Sequence, residues 1–258
     1  MSPDQSQTAF AASAADLAVR ALDALRGVEG AALVARHVEE AADPKAALAA
    51  IRLVGADLFA PHLLADAVLL PEDAMAVVQS FTVFPPPVSV PAAPPAGPAE
   101  PWIAAWRDWA TSALLARFSG GETLVPEPVG APVAEEPDAS DGSDGSDGSG
   151  SDWQRWSVRM GQLSPLALPG LDGPVHAAAR RAPLALARGA SRAVLRRDFP
   201  TAMRITRWLA LLAAEGARLP LDPAPLVEHL RLLGGGPRLA LDAAIAGRLL
   251  APARRDRA

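Results

Sequence analysis

Any metal or acid–base site in this chain would have to be built from its four histidines, His37, His62, His176 and His229. A di-metal carboxylate centre in a helical bundle needs Glu-x-x-His pairs on facing helices. Val34, Phe59, Gly173 and Leu226 stand three residues before the histidines, so that pairing is absent each time. H-x-x-x-H and H-E-x-x-H are absent as well. His37 with Glu40, and His62 with Asp66, are spaced to meet on one helix face, which reads as local surface pairing. The chain has no cysteine and no tyrosine. That removes thiolate metal sites, disulfides and thiol nucleophiles, and it thins the acid–base repertoire. G-x-S-x-G, G-x-x-x-x-G-K-[ST] and G-x-G-x-x-G do not occur. The Asp-Gly-Ser triplets at Asp141, Asp144 and Asp147 resemble a calcium loop only in composition. Counted from Asp141, ligand positions three and five are Ser143 and Gly145, and Asp152 stands where a closing glutamate belongs. No catalytic, cofactor or metal role falls to any residue, and the expected function is non-enzymatic.

Arginine offers the next chemistry. Lys45 is the one lysine beside 23 arginines. Arg188, Arg192 and Arg196 repeat at i, i+4, i+8 and share one helical face, with Arg180, Arg181 and Arg197 nearby. Guanidinium forks suit carboxylates and phosphates alike. An acidic protein surface is therefore one partner class, and nucleic acid bound by the arginines of 180–207 is the alternative. A merely solvated arginine face is the third reading. No recognition-helix pattern and no interleaved stacking aromatics support nucleic acid. Charge is divided sharply along the chain. Residues 1–151 carry 7 Lys/Arg against 21 Asp/Glu, and residues 152–258 carry 17 against 8. The acidic stretch between the halves would compete for the arginine face until a partner displaces it.

The tryptophans are the third group. In the stretch 101–118, Trp102, Trp106 and Trp109 fall within about 60° of each other on a helix. Trp153 and Trp156 begin a second such face, continued by Met160 and Leu163. These faces either cover the chain's own core or enter a groove on another protein. The two aromatic helices are also placed to pack on one another, with the acidic stretch as tether.

The elements that position these residues read as helices. The expected fold is all-α, with two helical-bundle lobes at 1–84 and 152–258. Between them lie a proline-rich spacer (85–100), the tryptophan helix (101–120) and an acidic linker (121–151) expected to be disordered. Residues 1–7 are expected to fray, and helical spacing starts at Thr8. Further helices are expected at 31–42, from Lys45 to about Leu58, and from Pro71. Ser151 and Gln154 form a capping-box pattern ahead of the next one. Helices then start at Pro183, at Asp198 with Pro200, at Pro223 and at Pro237. Half the residues are hydrophobic but only 5% are aromatic, so helices should pack closely through alanine. No uninterrupted run of 18 apolar residues occurs, and no transmembrane helix is expected. The N-terminal stretch lacks a basic segment before an apolar core, so no signal peptide is expected. The absence of cysteine suits a reducing cytoplasm, and the Ala, Gly, Pro and Arg excess suits a GC-rich bacterial coding sequence. The functional expectation is a helical adaptor or accessory subunit of a bacterial multiprotein assembly. It would bind other proteins through the tryptophan faces (Trp102, Trp106, Trp109, Trp153, Trp156) and the arginine face (Arg188, Arg192, Arg196).

Overall fold

Alanine-rich segments with proline in the first turn fold here as helices, because proline's fixed φ and missing N–H fit that turn. A computed structural model describes residues 3–28, 32–87, 89–132 and 149–251. The helices are α1 (Pro3–Arg26), α2 (Leu33–Glu40), α3 (Pro44–Val54), α4 (Ala60–Leu64), α5 (Pro71–Val83) and α6 (Ala99–Ser119). They continue as α7 (Ser149–Gln162), α8 (Pro174–Arg181), α9 (Pro183–Leu195), α10 (Phe199–Ala214), α11 (Pro223–Leu233) and α12 (Pro237–Leu250). The described residues contain no strand. The fold is all-α, as the pattern predicts.

The buried apolar residues form one continuous cluster drawn from both halves of the chain. Leu17 and Leu25 enter it from α1, Ile51 from α3, Trp106 from α6, Met160 from α7, Trp208 from α10 and Ile245 from α12. α1 packs on both α3 and α12, while α10 packs on α7, α9, α11 and α12. α10 is therefore the central helix that its wide apolar arc predicts.

Capping follows the sequence at three starts. Asp43 accepts from the Ala46 N–H at 3.1 Å, Asp198 from Thr201 at 3.1 Å and Asp222 from Ala224 at 3.0 Å. Each such cap stabilises its helix by about 1 kcal/mol. Asp73 behaves differently. It sits in the first turn of α5, yet its buried carboxylate reaches α2 and accepts from the Val34 and Ala35 N–H groups at 2.7 and 2.8 Å. α2 has no cap of its own in sequence, so a second helix supplies it.

Several local expectations are corrected. α1 begins at Pro3, inside the stretch expected to fray. α3 gives way at Gly55 to a 3₁₀ turn (Gly55–Phe59), and this change of pitch turns both Val54 and Leu58 into the core. α7 begins at Ser149, two residues before the predicted cap. α8 had no counterpart in the pattern. The proline-rich spacer is not extended throughout, because Gly97 N–H closes a turn onto Ala93 O at 3.2 Å. Residues 121–132 of the supposed disordered linker are an ordered strap. Leu124 N–H donates to Ser112 Oγ, and Val125 is buried. Gly130 lets the strap close on the spacer: its φ is +86°, and a Cβ there would come within 3.0 Å of the Ala93 Cβ. The rest of the linker, including the Asp-Gly-Ser triplets, lies at 133–148, outside the described residues. Finally, Pro44–Leu64 is long and apolar enough by length and composition to cross a membrane, but most of it is buried against other helices.

Candidate functional site

The tryptophan faces are interior. Trp102, Trp106 and Trp156 are completely or almost completely buried, while Trp109 and Trp153 are half-buried. Trp106 meets Trp102 and Trp109 edge-on, with ring centroids 6.2 and 5.2 Å away. The strap explains why aromatic residues recur on both α6 and α7. Trp102 Nε1–H donates to Val129 O at 3.1 Å, and Trp156 Nε1–H donates to Pro132 O at 3.0 Å. Two indoles from separate helices thus grip carbonyls three residues apart on one segment. Burying an indole leaves its N–H in need of an acceptor, and the strap backbone provides one at each place. These three tryptophans are withdrawn from any partner surface. The two aromatic helices are not a main packing pair, contrary to expectation; the strap lies against a tryptophan of each and connects them.

The arginines divide into three environments. Arg180 is bound by Asp172 at 2.8 Å and by Glu215 through two bonds at 2.8 and 2.9 Å. Its hydrogen bonds hold both carboxyls below their ordinary pKa, so this guanidinium is already neutralised locally. Arg207 is fully buried. Its Nη2 and Nη1 meet the two oxygens of Asp57 at 2.7 and 3.1 Å, and Nη1 also meets Asp242 Oδ1 at 2.6 Å. Arg238 adds a further ion pair to Asp57 and lies 3.4 Å from Asp242. Burial alone would raise the Asp57 pKa, but Arg207 and Arg238 outweigh it and hold the carboxyl below its ordinary value.

The third environment is open. Arg188 on α9 and Arg196 just past its end are exposed, and Arg192 is half-buried. Arg192 and Arg196 line a cleft of about 390 Å³ between α9 and α7. Arg155 and Arg159 of α7 line the same cleft, over apolar contacts from Val158, Ala193 and Ile205. Gly189 permits the arrangement, since a Cβ there would lie 2.4 Å from the Ser157 Cβ and force α7 and α9 apart. The i, i+4 spacing of Arg192 and Arg196 was legible. Arg155 and Arg159 have the same spacing on α7, a signal masked there by the tryptophans at 153 and 156.

The histidines take no part in these sites. His37 hydrogen-bonds Ser13 Oγ at 3.0 Å, while the nearby Glu40 pairs with Arg20 at 2.6 Å. His62 Nδ1–H donates to Ala67 O at 2.9 Å rather than meeting Asp66. His176 Nε2–H donates to Leu166 O at 2.9 Å and lies edge-on to Trp208. Among the described residues, no group of three or more His, Asp or Glu side chains could hold a metal ion. Comparison with known proteins adds no relative: no family model, curated protein or solved structure matches the chain.

Proposed function

We propose that the protein is a non-enzymatic helical adaptor or accessory subunit that receives an acidic segment of a partner protein in the α7–α9 cleft. The observation that supports this reading is the convergence of Arg155 and Arg159 with Arg192 and Arg196 on one cleft with apolar contacts. The guanidiniums of Arg159, Arg192 and Arg196 suit carboxylates in a fork, and Val158 and Ile205 suit the apolar residues between the acids. Arg188 extends the cationic face beyond the cleft. Of the tryptophans, Trp153, next in sequence to the cleft-lining Gln154 and Arg155, keeps enough exposure to border such a surface. The absence of cysteine and the arginine bias support a bacterial cytoplasmic setting, with the partner belonging to a larger assembly.

Nucleic acid is the second reading, and the same open arginines favour it. Its basis is weaker because Arg180 is neutralised by carboxylates and Arg207 is interior, which breaks the 180–207 arginines into separate environments.

Fluorescence anisotropy of a labelled Glu/Leu peptide, run beside random duplex DNA at low and physiological salt, tests the proposal. The peptide should bind, and the double change Arg192→Gln and Arg196→Gln should weaken it by about tenfold or more. Replacing Glu135, Glu136, Asp138, Asp141, Asp144 and Asp147 by serine should tighten binding at low salt, because a tethered competitor is neutralised. Equal or tighter binding of random DNA would overturn the adaptor reading.

A further inference from the structure

Ser164 Oγ is fully buried and has no hydrogen-bond partner among the described residues, and the Nε of Arg107 is likewise buried and unpartnered. Both residues line a second cavity of about 620 Å³, where α1, α3, α6, the Ser164–Leu166 turn, α10 and α12 meet. A buried polar atom without a partner destabilises the fold. Both belong to residues lining one cavity, which places two hydrogen-bonding groups there that no described residue satisfies.

The charges around it specify the sign. Arg107, Arg204 and Arg238 line the cavity, with Asp242 and Glu100 as the facing acids. Asp242 and the adjoining Asp57 are already engaged by Arg207 and Arg238. Glu100 is exposed at the rim. Arg107 gives Nη2 to Leu53 O, and Arg204 makes no ion pair among the described residues. Arg107 and Arg204 are therefore the lining arginines without an ion pair among the described residues, with Asp57 and Asp108 acting on Arg107 from a distance. Burial, followed by the nearby Arg238, pushes the Arg107 pKa down to about 10; Asp57 opposes this, Arg204 adds to it by less, and Asp108 opposes it least. Desolvation of a guanidinium beside a second one produces that direction of shift.

The helix geometry points the same way. α12 starts in the cavity wall after Gly235 and Gly236, and no side chain caps it. A Cβ at either glycine would meet nothing within 4 Å, so the approach to this positive helix end is open. The opposite wall is apolar, built from Ala11, Ala14, Ala15, Leu53 and Ile103. A volume of this size holds a small organic molecule.

We propose that this cavity binds a small organic anion, a carboxylate or phosphate monoester with a compact apolar body. Arg107, Arg204 and Ser164 hold the anionic head, and the body lies on the alanine face of α1. The site is separate from the α7–α9 cleft, and neither proposal depends on the other.

Calorimetric titration of the full chain with phenyl phosphate, phenylacetate, inorganic phosphate and benzyl alcohol, at constant ionic strength, tests the inference. One of the two aromatic anions should bind saturably and more tightly than inorganic phosphate, and benzyl alcohol should give no saturable heat. Whichever aromatic anion binds tells a phosphate site from a carboxylate site. Arg204→Gln removes a half-buried side chain outside the ion-pair network, so it tests the site without relying on Arg107→Gln, which disturbs the packing of α6. With the helical signal unchanged, Arg204→Gln should weaken binding about tenfold or more, and Ser164→Ala should weaken it by a smaller factor. Arg192→Gln with Arg196→Gln should leave it unchanged. No saturable binding of any anion, full affinity in Arg204→Gln, or loss of binding in the α9 variants would overturn the inference.

Discussion

Asp57 and Arg207, 150 positions apart in sequence, meet as a bidentate pair with neither side chain exposed to solvent. The carboxylate lies in the 3₁₀ turn after α3, and the guanidinium projects from the central helix α10. Asp242 of α12 shares the same guanidinium at 2.6 Å. One cluster thus ties the N-terminal helices to the last two long helices. Apolar side chains alone could slide between neighbouring packings, whereas a planar fork facing a carboxylate accepts one alignment.

Breaking this pair should be costly. Arg207→Met leaves Asp57 and Asp242 buried with reduced compensation, and the expected loss is about 3–5 kcal/mol. Urea denaturation monitored by tryptophan fluorescence and circular dichroism measures it. A loss below about 1 kcal/mol would mean that the interior re-solvates the stranded acids.

Stability should fall with acid in two stages. His37, His62 and His176 are all held below the ordinary imidazole pKa, chiefly by burial. Their unfolded forms take up protons more readily, so the stability they contribute is present above about pH 6.5 and is lost as the pH falls below it. A second loss follows below about pH 4, where Asp57, Asp172 and Glu215 are protonated in the unfolded chain before the folded one. Denaturation midpoints measured across this range should show both steps, and His176→Asn should shrink the first. A flat profile between about pH 7 and 5 would contradict the histidine assignment.

The strap gives a prediction about tryptophan that differs from an interface. Trp102→Phe and Trp156→Phe each remove an N–H donor to the strap, at an expected cost of about 1–3 kcal/mol. The helical signal should persist while hydrogen exchange at the Leu124 amide speeds up, because that strap N–H is held by Ser112 of α6 only while the strap stays docked. Alanine at the same positions would cost about 3–5 kcal/mol through cavities, and it would confuse lost packing with lost binding. Unchanged exchange in both phenylalanine variants would show that the indole bonds do not hold the strap.

The sequence by itself determined the helices and many of their ends. Asp198 with Pro200, Pro223 before three glycines, and Pro237 mark α10, α11 and α12 because capping and proline stereochemistry act within a few residues. The Arg192–Arg196 face was legible for the same reason, since helix pitch alone aligns it. α8 escaped because Val175 is its one large apolar residue, so it lacks the stripe that Leu33, Val34 and Val38 give the equally short α2. The strap escaped because it is held through the carbonyls of Val129 and Pro132, and a backbone acceptor leaves no mark in residue type. Asp57, Arg207 and Asp242 did leave one, as lone charges in apolar runs that must be paired once buried. Which charge pairs with which was decided only by the tertiary structure, as were the facing of α7 on α9 and the cavity around Arg107 and Ser164. Those relationships depend on which helices meet across separations that run from tens of residues to 150, and neither local periodicity nor capping carries that information.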